Sequence, residues 1–138
     1  MKSVAEKMGV KDSIAATFIN ADAEVIKTIN FPALNIKPDL NEKLDFILWF
    51  VISQAELKSS IPKIKKSLKE GGMLWISWPK SGQKNTDLNI KKLIEIVYNY
   101  GLVESKSISI DSVWSALKFT FPIVGKTYNN SYGNLKLD

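Results

Sequence analysis

The chain has 138 residues, 45% of them hydrophobic and 24% charged, which is the composition of an ordinary globular domain. Its formal net charge is +5, but all 19 basic residues are lysine, whereas arginine is the side chain that reads guanine edges and grips phosphates in a bidentate way. Because the sequence contains no cysteine and no histidine, it excludes Cys-His and Ser-His nucleophiles, thiol redox sites and zinc sites with those ligands. The composition therefore argues against nucleic-acid binding and against most familiar catalytic sites.

The sequence predicts a protein without membrane segments. The longest apolar run, residues 46–52, is too short to span a bilayer, and residues 1–10 lack the apolar core of a signal peptide. We therefore expect a cytoplasmic protein. We also expect a single domain over residues 1–121 and a polar, loosely ordered tail over residues 122–138.

The first quarter of the chain predicts a helix, a strand and a second helix. A helix over residues 2–8 ends at Gly9, and an apolar strand follows at residues 13–19. Asn20 or Asp22 can cap the second helix, because both side chains accept hydrogen bonds from backbone N–H groups.

Two strands joined by a helix form the centre of the chain. A loop with a short strand at residues 33–36 leads to residues 44–52, which lack polar-apolar alternation, as expected of a strand covered on both faces. An amphipathic helix over residues 53–70 is then expected to end at the Gly71-Gly72 pair, before a strand at residues 73–78. Strand, crossover helix and strand in this order build a parallel sheet.

The last part of the chain predicts a helix and a hairpin. The helix is marked by apolar residues spaced as on one helical face, namely Ile90, Leu93, Ile94, Val97 and Tyr98. Thr86 or Asp87 is expected to cap it. Residues 103–110 and 113–121 predict two strands joined by a turn at Asp111, which should pair in antiparallel fashion at the edge of the sheet.

Together, these elements predict an α/β fold with three layers. We expect a Rossmann-like, mostly parallel sheet of about five to six strands, with helices on both faces and an antiparallel hairpin at the C-terminal end. The order of elements resembles the class I S-adenosylmethionine-dependent methyltransferase fold, truncated by the loss of most of its second and third strand units. Residues 45–78 resemble the fourth and fifth strands of that fold, and residues 68–72, Leu-Lys-Glu-Gly-Gly, stand in place of its Leu-Lys-Pro-Gly-Gly.

The chain is also similar to a family of short bacterial proteins known only as a domain of unknown function. The similarity is carried by four short stretches in a fixed order, namely Ala5 to Lys11, Gly72 to Lys80, Thr86 to Leu88 and Asp111 to Phe119. That family implies no particular activity for this chain.

The resemblance to methyltransferases departs from their pattern at the cofactor-binding turn. Methyltransferases of this class have Glu/Asp-x-Gly-x-Gly-x-Gly after the first strand, whereas the matching residues 17–23 contain no glycine. The acidic residue that would hold the ribose hydroxyls after the second strand has no clear counterpart. We therefore expect no cofactor in the usual pose, and S-adenosylmethionine enters only under an alternative function.

A ligand-binding cleft is expected where parallel strands end, because open α/β sheets bind ligands beyond the carboxyl ends of their strands. The candidate residues are Asn20, Asp22, Ser53, Trp78, Lys80, Asp111 and Trp114, together with Lys118, which shares a strand face with Trp114. The plainer interpretation is helix capping for Asn20, Asp22 and Ser53 and core packing for the two tryptophans. No catalytic residue and no metal ligand is assigned.

The leading functional hypothesis is a non-catalytic module that binds a small metabolite or a protein partner through this cleft or through a sheet edge. The first alternative is a methyltransferase with a non-standard site or a site completed by a partner chain. A weaker alternative is nucleic-acid binding through the lysine-rich helix, with its lysines at positions 63, 65, 66 and 69. A truncated sheet should leave an edge uncovered, so a homodimer is also expected.

Overall fold

A computed structural model describes residues 2–123 and residue 126. The helices are α1 (Val4–Met8), α2 (Ala23–Ile29), α3 (Gln54–Ser67) and α4 (Ile90–Tyr98). The strands are β1 (Ala15–Ile19), β2 (Asn35–Ile36), β3 (Leu44–Phe50), β4 (Leu68–Pro79), β5 (Val103–Ser109) and β6 (Trp114–Thr120), and a 3-10 segment, Lys80–Asn85, follows β4. The tail expected from residue 122 onward lies almost wholly outside the described residues.

The six strands form one sheet in the order β2-β1-β3-β4-β6-β5. The pairs β2 with β1, β1 with β3, and β3 with β4 are parallel. Strand β6 runs antiparallel to β4, and β5 runs antiparallel to β6. The expected parallel sheet with a C-terminal hairpin at one edge is therefore confirmed.

Helices cover both faces of the sheet. On one face, α3 and α4 pack over the β3 and β4 side chains that include Trp49 and Ile76. On the other face, α1 and α2 pack over Phe46 and Trp75. Trp49 and Trp75 are completely buried on opposite faces, so the β3-β4 pair is the centre of the molecule. The expected three-layer arrangement is confirmed, and no helix in the described part is both long and apolar enough to cross a membrane.

The end of α3 corrects one prediction, because the Gly71-Gly72 pair does not stop this helix. The helix ends at Ser67, and Leu68 is already paired with Leu44 of β3. The glycines lie inside β4, next to a shift in the β3-β4 register. A Cβ atom on Gly72 would lie 2.8 Å from the carbonyl oxygen of Lys69, so a glycine is required there by close backbone packing.

The start of α4 corrects a second prediction. Asn89 caps this helix by accepting a hydrogen bond from the N–H of Lys92 at 2.8 Å. The two residues expected to cap it bond instead to the chain at the start of α3. The Thr86 hydroxyl donates to the carbonyl of Ile52, and Asp87 Oδ1 accepts from the N–H of Gln54. Long-range contacts thus engage the residues whose local sequence suggested capping.

Candidate functional site

Three parallel strands end at one side of the sheet, which we call the carboxyl edge. These strands are β1, β3 and β4. Strand β6 begins at the same edge, because it is antiparallel and Trp114 pairs with Pro79. The carboxyl edge therefore gathers six of the eight candidate residues, namely Asn20, Asp22, Ser53, Lys80, Asp111 and Trp114.

The strand order reverses between β1 and β3, the position at which open α/β sheets bind their ligands. Asn20 lies here with a left-handed φ of 55°, and its Nδ2 donates a hydrogen bond to Oε2 of Glu56 at 3.1 Å. Ser53 caps α3, since its hydroxyl accepts from the N–H of Glu56 at 3.1 Å. Glu56 therefore bridges the ends of β1 and β3.

Two candidate carboxylates hold backbone turns. Asp22 Oδ1 accepts from the N–H of Glu24 at 2.9 Å and so caps α2. Asp111 Oδ1 accepts from the N–H groups of Val113 and Trp114, both at 2.8 Å, and so fixes the β5-β6 turn. Both carboxylates stabilise the local backbone, as the plainer interpretation of the sequence expects for Asp22.

Lys80 connects the end of β4 to the β5-β6 turn. Its ammonium group donates to the Ser109 hydroxyl and to the Asp111 carbonyl, each at 2.5 Å. Its backbone N–H donates to the carbonyl of Val113 at 2.7 Å. The side chain is thereby held against the protein, where it contributes positive charge at the carboxyl edge.

Trp114 lies beneath a cation at this edge. Its ring packs edge-to-face against Phe50, with centroids 5.0 Å apart and an interplanar angle of 87°. The ammonium of Lys84 lies 5.9 Å from the centroid of the Trp114 ring, within the range of a cation-π contact. Trp114 is only 7% exposed, so a ligand that binds here would contact the Lys84 ammonium rather than the Trp114 ring.

The segment that carries Lys84 has an unusual backbone. Ser81, Lys84 and Asn85 have φ angles between 50° and 56°, in the left-handed region that costs about 1–2 kcal/mol for residues other than glycine. Gln83 Nε2 donates to the carbonyl of Ser112 at 3.1 Å, which ties the segment to the β5-β6 turn. Tertiary contacts therefore hold Lys84 at the carboxyl edge.

Trp78 and Lys118 do not join the other candidates. Trp78 packs into the core on the face of α3 and α4, whereas Trp114 belongs to the opposite face. Lys118 pairs with Trp75 in the middle of the sheet. It is four residues from Trp114 along β6, a separation of roughly 13 Å in an extended strand.

Sequence reasoning missed two residues of this edge, Glu56 and Lys84. Ser53 and Glu56 have the spacing of a helix capping box, which was a usable signal for Glu56. Lys84 gave no local signal, because its aromatic partner lies 30 positions further along the chain, at Trp114.

The carboxyl edge combines carboxylates that bond to the backbone with two lysine ammonium groups. In the part of the chain that the structure describes, no three His, Cys, Asp or Glu residues are grouped so that they could hold a metal ion. The Asp22 and Asp111 carboxylates accept backbone hydrogen bonds, and the ammonium groups of Lys80 and Lys84 supply positive charge. This arrangement suits the binding of a small anion.

Comparison with known families gives a match over most of the chain. The family described as "Protein of unknown function (DUF3052)" matches residues 7–122. Curated proteins give no match.

Comparison with solved structures gives methyltransferases at low sequence identity. The precorrin-6y C5,15-methyltransferase from Geobacter metallireducens is 9% identical, with 86% of this chain and 85% of that chain covered and a TM-score of 0.56. The ribosomal protein L11 methylase from Lactobacillus delbrueckii is 12% identical, with 85% and 74% covered and a TM-score of 0.53. The fibrillarin pre-rRNA processing protein from Methanococcus jannaschii is 15% identical, with 80% and 67% covered and a TM-score of 0.55. These similarities show a Rossmann-like fold of the methyltransferase type, as expected from the sequence.

Proposed function

The chain belongs to the DUF3052 family of proteins of unknown function, and we propose that it is a non-catalytic module that binds a small metabolite or a protein partner at the carboxyl edge. One observation carries the non-catalytic part of this proposal. At the point where the strand order reverses, Asn20 and Ser53 are both hydrogen-bonded to Glu56. The polar groups that could receive a cofactor there are engaged with one another.

The turn between β1 and α2 supports this proposal. In the methyltransferases that the chain resembles, glycines in this turn let the backbone approach the cofactor closely. Asn20 supplies a left-handed backbone conformation here, but its amide is bonded to Glu56. Ala21 and Asp22 carry Cβ atoms where glycine would leave space. The residues present therefore do not fit S-adenosylmethionine in its usual pose.

The segment after β2 gives further support. The carbonyl of Leu40 accepts a hydrogen bond from the Ser67 hydroxyl at the end of α3, so the chain turns back toward the amino ends of the strands. The acidic side chains in this segment are engaged locally. Asp39 accepts from a neighbouring backbone N–H, and Glu42 pairs with Lys37 at 3.2 Å. Both carboxylates therefore have partners within this segment.

Thermal unfolding with S-adenosylmethionine and S-adenosylhomocysteine tests the proposal. A ligand at a hundred times its dissociation constant stabilises a protein by about 2.7 kcal/mol, which raises the midpoint by roughly 5 °C at this size. We expect neither compound to raise the midpoint by more than about 1 °C at millimolar concentration. An active methyltransferase of the same fold, measured in parallel, is the positive control.

A clear shift would favour the alternative, a methyltransferase with a non-standard or partner-completed site. That alternative is motivated by the methyltransferase-type fold. The substitution Ala21→Trp would place a large ring in the exposed β1-α2 turn. A cofactor-induced shift that disappears in Ala21→Trp would contradict the non-catalytic proposal.

A positive test uses a thermal-shift screen of small carboxylates and phosphates. We expect compounds that bind the carboxyl edge to lose their effect in Lys84→Met, because this substitution removes the ammonium over Trp114 and keeps the length of the side chain. Lys91→Met, at an exposed position of α4, is the matched control for net charge. Shifts that survive Lys84→Met would place the ligand elsewhere.

Nucleic-acid binding through the lysines of α3 is a weaker candidate. Lys63 and Lys66 are exposed on this helix, but Lys69 belongs to β4 and pairs with Asp45 at 3.3 Å. The positive face is therefore shorter than the sequence suggested. A steep loss of DNA or RNA affinity with rising salt would support this candidate.

A further inference from the structure

A groove of about 410 Å³ lies on the side of the sheet opposite the carboxyl edge. Its lining includes Lys43, Lys65, Lys66, Asn99, Tyr100 and Phe121. Lys43 immediately precedes β3, and Phe121 immediately follows the antiparallel strand β6. These positions lie at the amino ends of the parallel strands, so the groove is separate from the site proposed above.

The groove is positively charged. Three lysines line it, and none of its described lining residues is acidic. The Lys43 ammonium donates a hydrogen bond to the Lys66 carbonyl at 2.7 Å, which fixes its position and leaves two further N–H donors. This bond also covers a carbonyl at the C-terminal end of α3, where an uncovered carbonyl would repel an anion.

Two aromatic rings flank the lysines. The Tyr100 hydroxyl lies 3.4 Å from the Lys58 carbonyl, which holds the ring beside α3. The Lys65 ammonium lies 6.0 Å from the centroid of the Phe121 ring. The groove therefore offers positive charge beside flat apolar surface, and a ligand with both an anionic group and a planar ring would use both.

We propose that this groove binds a small phosphorylated molecule with a planar ring, of the nucleoside phosphate class. Lys43 and Lys66 hold the phosphate, and the ring lies against Phe121 and Tyr100. The volume of the groove falls within the range of about 300–1,000 Å³ that is usual for small-molecule sites.

Titration calorimetry with ADP and with inorganic phosphate tests the proposal on the full chain. We expect ADP to bind more tightly than phosphate, and higher salt to weaken both. The substitution Lys66→Met should weaken ADP binding by about tenfold or more, because it removes one charged donor. Lys63→Met removes an exposed lysine of the same helix that does not line the groove, and it should leave the affinity unchanged.

Two more variants locate each part of the ligand. Phe121→Leu should bring ADP affinity down toward that of phosphate alone, because the ring loses one of its two aromatic partners. Lys66→Arg keeps the charge and should retain most of the binding lost in Lys66→Met. Failure of wild-type protein to bind ADP, or equal losses in Lys66→Met and Lys63→Met, would overturn the proposal. ADP binding that depends on Lys84 would place the ligand at the carboxyl edge and would also overturn it.

Discussion

At the scale of single residues, Gly71 and Gly72 meet different requirements. A Cβ atom at Gly72 would lie 2.8 Å from the Lys69 carbonyl oxygen and 2.9 Å from that of Leu44. These oxygens belong to the backbone of the β3-β4 region, so they cannot move aside as a flexible side chain would. At Gly71 the φ is 82° but nothing lies within 4 Å of an added Cβ. Gly72 is thus required for space and Gly71 for conformation.

We predict that Gly72→Ala lowers the free energy of unfolding by about 1–3 kcal/mol, the usual cost of an added carbon in a close-packed place. Gly71→Asn should cost less than about 1 kcal/mol, because asparagine tolerates a left-handed backbone and the surroundings are open. Urea denaturation of both variants measures the difference. Equal stabilities for the two variants would show that close packing at Gly72 is not the constraint.

Lys80 shows that a residue selected as a ligand-binding candidate also has a structural role. We predict that Lys80→Met lowers the free energy of unfolding by about 1–3 kcal/mol, because the Ser109 hydroxyl and the Asp111 carbonyl lose a charged donor. Lys84→Met, which removes a cation-π contact near the surface, should cost about 0.5–1 kcal/mol. Thermal and urea unfolding give both values. A Lys80→Met protein as stable as wild type would contradict the structural role.

At the scale of elements, α3 contains Pro62 in its interior and still runs as one helix from Ser53, its cap, to Ser67. Proline has no N–H, so the carbonyl of Lys58, four residues earlier, lacks its usual helical donor. The Tyr100 hydroxyl lies 3.4 Å from that carbonyl. Tyr100, two residues after α4, therefore supplies a hydrogen-bond donor to the carbonyl that lost its donor because of Pro62.

A double-mutant cycle tests this contact. We predict that Tyr100→Phe lowers the free energy of unfolding by about 0.5–1 kcal/mol in the wild-type chain, because a weak hydrogen bond to a carbonyl without its usual helical donor is lost. In a Pro62→Ala background the backbone N–H returns, so the same Tyr100→Phe change should cost little. If Tyr100→Phe costs the same free energy in both backgrounds, the Tyr100 hydroxyl does not compensate for the N–H group that Pro62 lacks.

At the scale of the whole molecule, the two outer strands decide how the sheet can meet another chain. Strand β2 has two residues, whereas β5 has seven and, within residues 2–123, pairs on one side only, with β6. The Lys106 ammonium donates to the Lys7 carbonyl at 2.8 Å, which anchors α1 beside β5. Strand β5 is therefore the edge with enough length for pairing with a second copy.

The homodimer expected from an uncovered sheet edge stays a prediction, and we propose β5 as the edge that it would use. Light scattering on the purified protein at about 100 µM should give the mass of a dimer, and Ser107→Lys, an exposed position of β5, should shift it toward monomer by placing like charges at the shared edge. Ser59→Lys, an exposed position on α3, is the matched control. A wild-type mass equal to that of the monomer would remove the prediction.

Local sequence patterns were enough to predict the type and order of the elements and much of the core. Unbroken apolar runs located β3 and β4, and helical spacing located α3 and α4, because burial on both faces or along one stripe leaves a local pattern. Trp49 and Trp75 lie within these apolar runs, and both are completely buried. The predicted end of α3 was wrong. Glycines near a helix end resemble a stop signal even when an irregularity in a strand requires them.

The partners of the polar residues at the carboxyl edge depend on contacts between distant parts of the chain. Asn20 reaches Glu56, and Lys80 reaches the Asp111 turn, across 36 and 31 positions of the chain. The groove around Lys43 and Phe121 joins residues from still more distant parts of the sequence. Such contacts follow from the order and register of the strands, which bring together residues that no local pattern relates. For this reason the sequence could place six of the candidate residues at one edge of the sheet, while the partners of each side chain came from the fold.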